Sequence, residues 1–266
     1  MSSKLPKQHS ILEWHRSRAE TGFKLSAQRW LAFLYHRVNN GLNQFRKDFT
    51  NDILDWGKLA DDGKTYFKPI IFNTYLDGGK VAYGALGLDP RSFDIVNVEA
   101  IRIADKITAN LVTNITKETK DAIRLRVKEG IKAGKNYYTI ANELRRFIGL
   151  NTKQSNRLAI YRVDLITKYP TMSVSDLNRR LSVFSSRLHR ERLETIARTE
   201  TARAQNHGYV TTLSNEGVKR FEFSAAPDCC LQFCAGLAGN IYDSKMALEI
   251  IPAHPRCRCC ILPVLL

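Results

Sequence analysis

The chain has 266 residues, 44% hydrophobic and 25% charged, with 41 basic against 26 acidic residues and a net charge of +15. That balance suits a folded chain of one large domain or two modest ones. It has neither an apolar run long enough to span a membrane nor the apolar core of a secretory leader in its first twenty residues, so no membrane association is expected and folding is expected in a reducing compartment, where disulfides are rare.

The charge is uneven. Residues 1–100 carry 14 basic and 11 acidic side chains, residues 101–203 carry 22 and 10, and residues 204–266 carry 5 and 5. The excess in the middle points either to a polyanion or acidic protein partner or to a solvated helical surface.

In chain order, "LSAQRWLAFLYHRVNNGLNQFRKDFTNDILDW" places Trp30, Leu31, Leu34, Val38, Leu42, Phe45, Phe49, Ile53 and Trp56 at three- and four-residue steps, which predicts a helix. "GKLADDGKTY" is expected to break it. "FKPIIFNTYLDGGKVAYGALGLD" reads as a helix whose small residues Gly78, Gly79, Ala82, Gly84 and Ala85 suggest close packing. Two amphipathic runs follow, "NVEAIRIADKITANLVTNI" and "TKETKDAIRLRVKEGIKAG", the second closing at Gly134, and "NYYTIANELRRFIGL" closes another helix at Gly149. "NTKQSNRLAIYRVDLITKYP" is a basic helix for Asn151 or Thr152 to cap and Pro170 to stop. A long helical run starts at Ser173 or Ser175, ends at Asn215–Gly217, and has Ser185 as its expected weak point. Beyond it, "VKRFEFSAA" reads as a strand, "GNIY" as a turn into a second, and "RCRCCILPVLL" as a terminal one. The fold class is therefore mainly α, a helical body with a small α+β Cys/His-rich C-terminal domain. Its divisions are an N-terminal helical region at 1–94, a basic helical body at 95–217 and the tail at 218–266.

All six cysteines, Cys229, Cys230, Cys234, Cys257, Cys259 and Cys260, lie in the tail. A domain of that size benefits from a staple. Zinc takes four soft or borderline ligands, commonly as two close pairs from separate turns. Cys230 with Cys234 and His254 with Cys257 form such pairs, with Cys229 and Cys259 as alternates, and imply one structural zinc. The same pattern admits buried reduced thiols or disulfides. It does not fit the zinc deaminase signature, and no third partner for a Cys–His nucleophile is visible, so the alternative to a structural protein is a zinc-stapled nucleic-acid-binding module, ahead of a Cys–His enzyme. In "IARTETARAQNHG", Glu194 precedes Arg198 by four, and Arg190/Glu194 and Glu200/Arg203 are similarly spaced for helix-surface ion pairs. Glu194, Arg198, Glu200 and Arg203 are read as structural, with Arg198 and Glu200 reaching across to tie the tail to the body.

These stretches together are similar to the Mu F-type head morphogenesis (minor capsid) proteins of tailed phages. Ile196–Thr201 matches that family's I-A-R-T-E helix. Cys234, Leu237 and Gly239 match its C-x-x-C-x-x-L-x-G turn, and His254, Pro255, Cys257, Arg258 and Cys259 match its closing H-P-x-C-R-C. The family's first turn cysteine falls on Leu231, one residue from Cys230. The resemblance spans residues 95–264 and implies a non-enzymatic, low-copy virion protein, made in the host cytoplasm and placed inside the head near the portal. It implies roles in assembly, genome packaging or ejection, with the portal protein, a major capsid or scaffold protein and double-stranded DNA as partners. Arg179, Arg180, Arg187 and Arg190 are then the candidate contacts to DNA or portal, made without sequence specificity.

Overall fold

The computed structural model describes residues 7–45, 55–93, 98–135 and 137–265. Phe49, Ile53 and the side chains of Leu42 and Phe45 from the expected first stripe lie outside them. Among the described residues there are eight α-helices and three strands, so the protein is mainly α with a small α+β region at its C-terminal end. The helices are α1 (Lys7–Phe45), α2 (Trp56–Ala85), α3 (Val98–Lys132), α4 (Tyr137–Leu144), α5 (Thr152–Lys168), α6 (Val174–Asn215), α7 (Cys234–Leu237) and α8 (Ser244–Ile250). Strands β1 (Phe221–Ser224), β2 (Ile241–Tyr242) and β3 (Cys260–Pro263) form an antiparallel sheet in the order β2-β1-β3, with Phe223 opposite Ile261. No described helix is long and apolar enough to cross a membrane.

Contacts divide the chain into two compact units. One gathers Met1–Ala27, Thr65–Thr108 and Glu194–Leu266, and the other gathers Gln28–Lys64 and Ala109–Leu193.

In the second unit, Leu150, Leu158, Leu165, Leu181 and Leu188 form a leucine core beside Phe147, Tyr161 and Phe184. Asn151 caps α5 with a complete capping box through Gln154, as the sequence suggests. Ser185 does not break α6. Its hydroxyl donates to the Arg146 carbonyl at 2.8 Å, and His189 reaches the Ile148 carbonyl at 2.8 Å, so this polar stretch faces a partner segment that accepts its hydrogen bonds. The expected break at 57–66 is also absent, because α2 runs through it. Asp55, just before that stretch, accepts the Lys58 N–H at 2.9 Å and starts the helix, so Asp61 and Asp62 fall inside it. Gly63 is a spacer: a Cβ there would come within 2.6 Å of both Trp30 Nε1 and Val112 Cγ1. The two amphipathic runs of 98–132 are one helix, α3, which ends as expected at Gly134, φ 67°, where the Lys135 N–H reaches back to the Gly130 carbonyl.

In the first unit, α2 and α6 approach almost backbone to backbone. A methyl group on Gly78 would overlap the Gln205 carbonyl, and one on Gly208 the Tyr75 carbonyl, while the Phe93 ring covers Gly79. The unit's core joins Leu12 of α1, Ala82 of α2 and Tyr209, Val210 and Leu213 of α6 to Phe221, Phe223, Cys234, Cys257, Cys260 and Ile261 of the tail. The start of α1 therefore belongs to the tail's own core. Ser224 meets His9 Nδ1 at 2.8 Å in the same place, and burial, ahead of the neighbouring Arg16 charge, holds the His9 imidazole below its ordinary pKa.

Candidate metal centre

Two turns bring the ligand candidates together. The first leaves β1, passes Cys229 and Cys230 and enters α7 at Cys234, where the Ala235 N–H bonds the Cys230 carbonyl. The second runs from His254 to Cys259 before β3, and the Cys257 N–H closes it on the His254 carbonyl. Arg256 turns its corner at φ 66°. Cys230, Cys234 and His254 hold their ligand atoms within 4.8 Å of one another, and so do Cys234, Cys257 and Cys259. Cys234 belongs to both triplets.

These side chains can hold a metal ion, and their chemistry fits one. The Cys234 and Cys257 sulfurs are 3.8 Å apart, and all six cysteines are free thiols. A tetrahedron of zinc–sulfur bonds has sulfur–sulfur edges of about 3.8 Å. His254 Nδ1 donates to the Pro255 carbonyl at 2.8 Å, which leaves Nε2 as the ring nitrogen available to a metal. The Cys234 N–H beside the Cys230 sulfur holds that thiol below its ordinary range. The Cys259 thiol, donating to Cys257, pulls Cys257 down to about 5 and is itself pushed up; burial pushes Cys234 up to about 12. The cluster thus already favours one thiolate, and a cation would displace the remaining protons.

All four cysteine and histidine residues read first from the sequence, Cys230, Cys234, His254 and Cys257, lie in this cluster, with the alternate Cys259. Cys229 is in neither triplet. Cys260 turns the other way, fully buried, with its sulfur 3.4 Å from the Arg16 guanidinium. The turn before α7 delivers the Cys230 sulfur to Cys234 and His254.

Of the α6 pairs that the spacing suggests, Glu200 with Arg203 forms, and those of Glu194 do not. Glu194 does not take Arg198 or Arg190; it takes Arg256 at 3.3 Å, and the Arg256 N–H donates to Thr199 Oγ1 at 3.0 Å. Arg198 pairs with Glu20 of α1 at 3.6 Å, and the buried Glu200 with Arg203 at 2.6 Å. The tie between α6 and the tail is therefore Glu194 and Thr199, not Arg198 and Glu200, because the left-handed corner lays Arg256 across that face of α6. Thr199 and Asn206, which accepts from the Ile261 N–H at 3.3 Å, carried no signal beyond standing in or near the I-A-R-T-E stretch. Arg179, Arg180, Arg187 and Arg190 are exposed on α6. Arg179 pairs with Asp176 and Arg187 with Glu191, each at 3.2 Å, and Arg180 lies 5.7 Å over the Tyr169 ring.

No protein-family model, curated protein or solved structure matches the chain.

Proposed function

We propose that this is a structural head-morphogenesis protein of a tailed phage, non-enzymatic and low in copy, placed inside the head beside the portal and stapled by one zinc ion. The observation that carries the reading is convergence. The three stretches that resemble the Mu F-type pattern, Ile196–Thr201, the Cys234 turn and His254–Cys259, meet in one unit. Thr199 and Glu194 hold the corner between His254 and Cys257, and Cys257 meets Cys234. A metal at that junction would lock helix, turn and closing strand together. That is a stapling task, in keeping with a donor set of thiolates and one imidazole. The basic segment would meet the portal, a capsid or scaffold protein, or packaged DNA.

The deciding experiment is fractionation of particles from infected cells. The protein is expected to co-purify with portal-containing proheads and mature heads in a few copies. Its absence from both overturns the assignment. Elemental analysis of reduced protein is expected to give about one zinc per chain, and a fully folded, metal-free protein would rule the staple out.

A further inference from the structure

Arg16 is 2% exposed, deep in α1's contact with the tail. Its guanidinium donates to Gln205 Oε1 at 3.2 Å, to the Cys259 carbonyl from both terminal nitrogens at 3.4 Å, and to the Cys260 sulfur at 3.4 Å. Gln205 is fixed in turn by donating to the Leu12 carbonyl at 2.8 Å, which keeps Oε1 toward the arginine. None of these acceptors is a carboxylate, and among the described residues no carboxylate lies within ion-pair distance of Arg16. Glu13, one turn earlier, is engaged with Arg258 at 3.8 Å. A buried cation without a counter-charge is costly, so the anion that balances it should lie close by.

The cluster supplies one. Any four ligands drawn from Cys230, Cys234, His254, Cys257 and Cys259 include at least three thiolates. A divalent ion held by them is left with one or two net negative charges. The two arginines of the closing turn itself are compensated elsewhere: Arg256 by Glu194, and Arg258 by Asp228 and Glu13. We infer that Arg16 is the counter-ion of an anionic, thiolate-rich metal centre, acting as a positioning residue through the carbonyl of Cys259. This rests on the metal reading above.

The test is titration of the reduced full chain with Co²⁺, followed by zinc competition against a chromophoric chelator, for the wild type, Arg16→Lys and Arg16→Gln. The wild type is expected to show a tetrahedral Co²⁺ spectrum with thiolate-to-metal charge transfer of at least three sulfurs. Arg16→Gln should lower metal affinity about 10–100-fold. Arg16→Lys, which keeps the charge but not the fork, should stay within about fivefold. Metal-free Arg16→Gln should be at least as resistant to urea as the metal-free wild type, since it removes an unbalanced buried charge. Unchanged affinity in Arg16→Gln, or equal loss in Lys and Gln variants, overturns the counter-ion role while leaving the metal centre standing. A metal-free Gln variant weakened as much as its metal-bound form also overturns it. A wild type with no Co²⁺ spectrum removes the metal reading itself.

Discussion

Arg256 sits where its neighbours need a corner rather than where an arginine is comfortable. A non-glycine residue in the left-handed region costs about 1 kcal/mol. Its exposed ion pair with Glu194 returns only part of that. Thermal unfolding of the metal-loaded protein should therefore move little for Arg256→Gly, within about 1 kcal/mol, while Arg256→Val, β-branched at the same φ, should lose about 2 kcal/mol. If the two variants unfold alike, backbone conformation is not what limits that position. His207 gives the clearest pH effect: burial, then the charges of Arg203 and Lys106, lowers its pKa to about 4 from 6.5. The unfolded chain then takes up a proton that the folded one refuses. Its contribution to stability is full above pH 6.5 and is lost as pH falls through that value toward 4. Urea midpoints should show this slope, and His207→Gln should flatten it; an unchanged slope would place the titrating group elsewhere. At this scale the ligands were legible, because Cys230/Cys234 and His254/Cys257 are short-range spacings that survive whatever the rest of the chain does. Arg16 was not legible. It bonds a carbonyl 243 residues away, and nothing in its own neighbourhood marks it out.

Among the elements, the crossing of α2 and α6 has the least tolerance. Gly208→Ala drives a methyl group into the Tyr75 carbonyl, a main-chain atom that cannot rotate away, and should cost about 3 kcal/mol by urea titration. Gly236→Ala, in open space within α7, should cost nothing measurable; equal effects would mean that helix propensity rather than packing governs both sites. The small residues of 78–85 suggested close packing against another helix, and that reading holds for Gly78 against α6, whereas Gly79 is covered by the Phe93 ring. The same residue type misled at 57–66. Glycine beside aspartate reads as punctuation from local preference alone, whereas here Asp61 and Asp62 lie inside α2 and Gly63 makes room for Trp30. Amphipathic periodicity found the helices but not their number, since two runs in phase on one face are indistinguishable from one long helix until a cap intervenes, as at Gly134.

For the whole molecule, charge is segregated. Residues 109–193, within the second unit, carry 18 basic and 7 acidic side chains. Binding of this protein to double-stranded DNA should be independent of sequence and fall steeply with salt. Arg180→Ala and Arg190→Ala should each reduce the salt slope by about one. Arg179→Ala and Arg187→Ala should do less, because Asp176 and Glu191 already share their charge. An unchanged slope in all four would move the contact surface off α6. The mainly α class was legible because it depends on composition and period. The grouping of segments into units was not, because it depends on contacts between distant parts of the chain. That grouping has a temporal side. The first unit's core needs both Leu12 and Ile261, far apart along the chain, whereas every segment of the second unit precedes Glu194. During synthesis the part of the α1 face that packs on the tail must wait until the closing turn emerges, while the second unit can already close on itself.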